Sequence, residues 1–325
     1  MKHTTLAVLA VLAIATLATG CKKKSSEPTH EAPGSGTVKI DAPEAPPIPD
    51  AGAAAAAPAG TTSLEDGFQA PESAYYDAAD DRILVSNING GTTDADDNGF
   101  ILAVNPEDGK VTKLLDGASP DIKLDAPKGL VVSGDTLYVA DITVVRRFDP
   151  KSGKQKEDIK IPGAAFLNDV AADTEGGVYV TDTGADGKRD GADAIYHVGK
   201  DGKVKPVIKD KMLGGPNGIL PGDAGALWVV TLRSGELFSV DASGKKGTPE
   251  KLPKGGLDGI LALEGGDLLI SSWEGKAVYR GKPGGPWTAV VSEVPSPADI
   301  GYDSKRKRLL IPVLEGNELR VVPLP

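Results

Sequence analysis

Residues 257–292 read LDGILALEGGDLLISSWEGKAVYRGKPGGPWTAVVS, and this stretch decides the fold. GILAL is a short apolar run, EGG a tight turn, DLLISSW a second run, KAVYRG a third and WTAVVS a fourth. Short runs rich in Val, Ile and Leu, bounded by Gly, Asp and Pro, read as the strands of one antiparallel sheet. The same order recurs upstream. Residues 169–210 carry DVAAD, GVYVTD, AIYHVG and KPVIKD, and residues 219–251 carry ILPG, ALWVVT, ELFSVD and a stretch near Lys251.

Six times a turn-like signal opens such a repeat. In order the openings are PESAYYDAADDRILVSN, PKGLVVSGDTLYVAD, LNDVAADTEGGVYVTD, PNGILPGDAGALWVVT, LDGILALEGGDLLISS and ADIGYDSKRKRLLIPV. Their key positions are Glu72, Lys128, Asn168, Asn217, Asp258 and Asp299, spaced by 56, 40, 49, 41 and 41 residues. A period of about 40–45 residues with several short strands per repeat specifies a propeller. The expected fold is therefore all-β, a six-bladed β-propeller over residues 63–325. The long first interval holds an insertion, Thr92–Asn98. The chain ends just after ELRVVPL, which reads as a third strand, so the last blade lacks its fourth. An open edge would leave backbone groups unpaired, so residues 61–70 are expected to close the ring. A β-sandwich would not require self-similarity at this spacing.

The amino terminus has another character. Lys2 followed by an apolar run from Leu6 to Leu17 reads as a signal peptide over residues 1–20. Ala18-Thr19-Gly20-Cys21 resembles the lipobox of bacterial lipoproteins, with Leu17 one place earlier than the usual Leu. The resemblance implies cleavage before Cys21 and lipidation of that residue. Cys21 is the only cysteine, so no disulfide can form. Residues 21–62 are rich in Pro, Ala, Gly, Ser and acidic residues, and read as a disordered tether. The expected location is the bacterial cell envelope, held to a membrane through Cys21, at the outer membrane facing the periplasm or the cell surface. The net charge of −10 argues against nucleic acid as a partner, because phosphate binding needs a basic surface.

In a propeller the innermost strands line a central channel and begin at one mouth. Glu72, Asn168, Asn217, Asp258 and Asp299 are thus expected to face one cavity. Carboxylates and amide oxygens together suit a hard divalent cation, calcium first, with magnesium, manganese or zinc as alternatives. Asn and Asp also begin strands simply because they make good turns, but Glu72 has no such excuse. Loops joining second to third strands open at the same mouth. They bring Asn87, Asn89, Asp141, Asp182, Arg233, Trp273 and Glu315 to the rim, with Arg233 and Trp273 the candidates for substrate contact.

From Glu72 onward the chain resembles the senescence-marker-protein/gluconolactonase/luciferin-regenerating-enzyme family, which includes regucalcin. Pro71-Glu72-Ser73 resembles the family's early metal-glutamate turn, Pro216-Asn217-Gly218 its Pro-Asn-Gly motif, and Leu257-Asp258-Gly259 its Pro-Asp-Gly motif. Leu167-Asn168-Asp169 matches the end of its Arg-x-Asn-Asp motif, with Phe166 where the arginine stands. The resemblance implies a divalent metal on Glu72, Asn217 and Asp258, with Asn168 near metal and substrate. It also implies Asp258 as the catalytic base of a hydrolase acting on a lactone or ester. Phe166 removes a guanidinium that would hold a polar substrate. That loss leaves a second expectation open, a non-catalytic propeller that binds a ligand or calcium at the envelope.

One further motif stands apart. Asp94-Ala95-Asp96-Asp97-Asn98-Gly99 resembles the start of a calcium loop, but Asn105 occupies the place of its closing glutamate. A solvated acidic hairpin is the alternative.

Overall fold

The structure, a computed structural model, describes residues 58–184 and 193–324. The expectations about the signal peptide, Cys21 and the tether as far as residue 57 lie outside these residues. Among the described residues no helix is long and apolar enough to cross a membrane.

Six four-stranded antiparallel sheets surround one axis. The fifth blade is Leu257–Ala262, Leu268–Ser272, Ala277–Gly281 and Thr288–Val291, the four runs read from its sequence. The sixth pairs Gly301–Asp303, Arg308–Val313 and Glu318–Pro323 with Thr62–Leu64 from the other end of the chain. That closing strand places Thr62 opposite Val321 and Leu64 opposite Leu319, so the edge left by the last blade is covered. It begins within the 61–70 segment that the missing fourth strand called for.

Alternation along each strand sends apolar side chains into the spaces between blades. One apolar cluster fills each space. Leu84, Ile101, Leu130 and Val139 join blades one and two. Leu310, Leu319, Ile83 and Val85 join blades six and one, so the seam is packed as well as hydrogen-bonded.

The feature that positions the site is a bulge repeated at the head of the innermost strands. In blade one Pro71 pairs with Asn87, but the next pair is Ala74 with Val85, leaving Glu72 and Ser73 opposite Ser86 alone. Blades two to five repeat this two-against-one count at Lys128-Gly129, Asn168-Asp169, Asn217-Gly218 and Asp258-Gly259. A bulge bends its strand and re-aims side chains, at the expense of a ladder bond. Hydroxyls of the second strand compensate. Ser86 Oγ accepts Ser73 N–H (3.0 Å), Thr181 Oγ1 accepts Asp169 N–H (2.9 Å) and Ser271 Oγ accepts Gly259 N–H (2.8 Å). Neighbouring inner strands also approach closely here. A side chain at Gly218 would come within 2.3 Å of Asp258 O, and one at Gly259 within 2.4 Å of Ile300 N. The glycines of the Asn217-Gly218 and Asp258-Gly259 turns thus let adjacent blades meet.

Candidate metal centre

The first residue of each bulge points into one cavity of about 300 Å³, where Glu72, Lys128, Asn168, Asn217 and Asp258 meet. Ile88, Phe166, Leu232, Trp273 and Leu314 form much of the remaining wall. All five polar residues are at least 95 % buried.

Their partners show which atoms face the space. Trp273 Nε1, which can only donate, gives its proton to Asp258 Oδ2 (2.7 Å), and Asp258 Oδ1 has no partner. Thr183 Oγ1 donates to Pro216 O (2.6 Å) and so accepts from Asn168 Nδ2 (3.0 Å). That fixes the Asn168 amide with Oδ1 away from its donors, and Oδ1 has no partner either. Asn217 Nδ2 lies 3.4 Å from Leu257 O, which can only accept, so its Oδ1 is turned the other way. Glu72 Oε2 is likewise hidden and unpartnered. Three blades therefore each present a buried acceptor oxygen with no donor. An unsatisfied buried acceptor costs about 1–3 kcal/mol, more when charged. Several at one cavity describe a place for a cation. Among the described residues no three His, Cys, Asp or Glu side chains gather at a metal-binding distance. The donor set here is two carboxylates and two amides, all hard oxygens, which fits calcium better than a soft metal.

The carboxyls are held in tension. Burial, then the Asp299 charge, pushes Asp258 up to about 8, while Trp273 and Asn217 pull the other way. Burial first, then Asp258 and Asp299, raises Glu72 well above the usual carboxylate range. A bound cation reverses both pressures by favouring the ionised forms.

The SMP-30/Gluconolactonase/LRE-like region family matches residues 70–298, which include every residue of this cavity except Leu314. The chain belongs to this family. A gluconolactonase from Xanthomonas campestris superposes with a TM-score of 0.65 at 21% identity, covering 83% of this chain and 92% of that one. Regucalcin from Agrobacterium tumefaciens, a calcium-binding protein, gives 0.60 at 20%, covering 83% and 95%. Virginiamycin B lyase from Staphylococcus aureus gives 0.57 at 16%, covering 82% and 99%. At these identities the likeness shows the propeller alone. No curated protein sequence matches the chain.

Within this gluconolactonase-like propeller the expected site residues separate. Glu72, Asn168, Asn217, Asp258 and Trp273 come together at the cavity. Arg233 does not join its lining. Its guanidinium donates to Thr183 O (2.5 Å) and Asp193 Oδ1 (2.5 Å), so it braces the Thr183 that orients Asn168. Asn87, Asp141 and Asp182 hold turns rather than ligands, accepting the N–H groups of Gln69, Ala126 and Phe166.

Asp299 is the clear departure. Pro297 pairs with Val313 as Pro71 pairs with Asn87, which makes Ala298 the counterpart of Glu72. Asp299 is then the counterpart of Ser73 and Asp169, one step down the channel. It lines a different cavity of about 260 Å³ with Asp169. There Ser73 Oγ donates to Asp299 Oδ2 (2.5 Å), and Asp169 accepts the N–H groups of Ile219 (2.8 Å) and Val170 (2.6 Å). Lys128 was not among the residues expected at this cavity, yet its side chain lines it. The proline before Glu72, Lys128 and Asn217 was the signal that would have aligned Ala298, since Pro297 is the fourth.

The acidic hairpin is tied only in part to its own surroundings, since Asp97 Oδ1 and Asn98 Oδ1 are hidden without a partner. Asp97 pairs with Lys123, Asp94 Oδ2 accepts Gly91 N–H (2.9 Å), and Asn98 donates to Asp96 (2.6 Å). A larger hollow of about 540 Å³ lies outside the channel at Asp135, Asp173 and Lys200, and no hidden unpaired acceptor lines it.

Proposed function

We propose that the protein is a divalent-metal-dependent hydrolase of the lactonase type, with calcium on Glu72, Asn168, Asn217 and Asp258. The observation that carries the reading is the set of buried, donorless oxygens on Glu72, Asn168 and Asp258 around one cavity. When bound, the cation supplies Lewis-acid polarisation of a lactone or ester carbonyl oxygen.

The chain's own residues supply the rest. Asp258 is the base, and its Oδ1, the oxygen without a donor, would both face the cation and accept the proton from water or substrate. Trp273 holds Oδ2 and keeps that atom aimed into the cavity. Ile88, Leu232 and Leu314 exclude water from around the reacting group. A small apolar-walled cavity at the end of a channel, with a few polar groups converging, is a usual form for a small-molecule site.

The relatives divide the options. A catalytically inactive virginiamycin B lyase carries a histidine-to-alanine change. Here the one histidine among the described residues is His197, in the third strand of blade three, bonded to Asp173 Oδ2 (2.7 Å). It lies outside the cavity, so among the described residues no histidine serves that cavity. Phe166 in place of the motif arginine favours a second reading, a calcium- or ligand-binding propeller without catalysis. In either case we place the domain at the cell envelope, anchored through a lipidated Cys21.

The test is a calcium titration of the full chain and of Asp258→Ala, followed by a panel of lactones and esters with and without calcium. Binding lost in the variant together with calcium-dependent turnover by the parent is the expected result. Calcium binding without turnover of any member supports the second reading. Absence of both in a folded parent defeats the metal hydrolase.

A further inference from the structure

Lys128 has no role in the proposed chemistry, yet it is one of the five polar groups buried at the head of the channel's inner strands. It is 1 % exposed. An ammonium has three donors, and a buried one is costly unless paired. Among the described residues its one hydrogen bond goes to Ala126 O, a neutral carbonyl (3.0 Å). Nζ also lies 4.4 Å from the centroid of the Phe166 ring, and the charges of Glu72 and Asp141 act on it without a direct bond. Two N–H donors therefore have no protein acceptor.

Two explanations compete. Lys128 could stand in for the metal, satisfying the acidic ring itself. In that case its Nζ would bond the oxygens of Glu72, Asn168 or Asp258, but each of those residues keeps a donorless oxygen. The ammonium stands beside the cation's place and not in it. A divalent cation offsets the two carboxylates of the ring, Glu72 and Asp258, and the buried Asp141, whose charge also acts on Lys128, is engaged by Arg146 and by the N–H groups of Asp125 and Ala126. Open ammonium donors in a cavity otherwise walled by Ile88, Phe166, Leu232 and Leu314 fit an organic acid with an apolar body.

The position of Phe166 gives a separate argument. The motif arginine is absent at residue 166, and the ring that replaces it carries the Lys128 ammonium on its face. The side chain at residue 166 thus braces the Lys128 ammonium from blade two.

We propose that Lys128 is the specificity-determining residue of this site, and that it receives the carboxylate of a carboxylate-bearing lactone or ester beside the metal. The proposal rests on the metal-site reading for its charge balance, and the experiment separates the two. The full chain, with calcium present, is titrated with 3-phenylpropionate and with its neutral amide, following tryptophan emission because Trp273 lines the cavity. Calcium affinity is measured in parallel by calorimetry.

The parent is expected to prefer the carboxylate by about tenfold or more, the usual scale of a charge-assisted hydrogen bond. Lys128→Met should bring the two ligands to equal affinity, keep or tighten calcium binding, and Lys128→Arg should restore the preference. Lys128→Gln serves as the neutral variant if Lys128→Met does not fold. A parent that binds calcium but shows no preference overturns the proposal and leaves the metal site standing. So does a preference that survives Lys128→Met or Lys128→Gln. A Lys128-dependent preference without calcium binding would instead uphold Lys128 and defeat the metal reading.

Discussion

The channel has two tiers of buried polar groups, and they are finished differently. In the upper tier Glu72, Asn168 and Asp258 each hide an oxygen that nothing in the protein satisfies. In the lower tier Asp169 is as buried and Asp299 partly so, and Ser73 and the backbone of Val170 and Ile219 supply donors to their oxygens. Acidic character alone does not separate a binding site from a structural one. The separating property is whether the protein has already completed the hydrogen bonds. The upper tier is completed only by something from outside.

The strongest way to break this comparison is to delete one carboxylate from each tier. Asp258→Ala should weaken calcium binding about 100-fold or more, since losing even an outer partner of a metal ligand typically costs 10–100-fold. Asp299→Asn removes no ligand, since its carboxyl lines the other cavity, and should change calcium affinity far less than Asp258→Ala, through the loss of the charge that raises Asp258. Calorimetry on both variants checks this, and equal losses would erase the distinction between tiers.

Acidity gives the next test. Asp258, at about 8, must release a proton before it can hold a cation. Calcium affinity should rise about tenfold per pH unit up to pH 8 for each proton released, and level off above it. The stability of the calcium-free protein has the opposite sign. A carboxyl raised on folding contributes stability that is full below its unfolded pKa near 3.8 and is lost as pH rises through about 8. Melting in EDTA should therefore fall between pH 5 and 8, and the gain on adding calcium should widen over the same interval. Parallel melting curves with and without calcium would sink the assignment.

Trp273→Phe keeps the apolar wall and removes the donor to Asp258. Calcium affinity should fall about tenfold, within the range for an outer-shell partner, with the fold retained. Ser73→Ala probes the lower tier and is the smallest effect. It removes the bond to Asp299 and should lower stability by about 1 kcal/mol in chemical denaturation while calcium affinity stays unchanged.

The fold was legible because each blade repeats the same grammar of strand and turn, and because a ring with one strand missing must take it from the other terminus. The positions that line the cavity were legible for a related reason. A Glu at the first turn and Asn-Gly and Asp-Gly pairs at the equivalent places are hard to explain as turns alone. The error at Asp299 came from matching acidic letters. Blade six has Ala298-Asp299-Ile300 where blade five has Asp258-Gly259-Ile260, so its carboxylate sits at the second bulge position. Strand pairing, set by Pro297 with Val313, decides that register, and residue chemistry does not. Arg233 failed for another reason. A loop arginine can turn toward a ligand or toward its scaffold, and the choice depends on the buried Asp193 from a neighbouring blade. Lys128 was passed over because a cation broke a pattern of anions, although a break in a pattern is also information.

The bulge has a consequence for how such a protein can change. Within Asn168-Asp169 two consecutive codons are delivered to separate chambers, one above the other. A point mutation in the first letter edits what the protein binds, and one in the second edits how the blades hold together. The two properties are interleaved along the gene yet can be inherited independently. A lineage could thus retune its ligand without renegotiating the architecture beneath it.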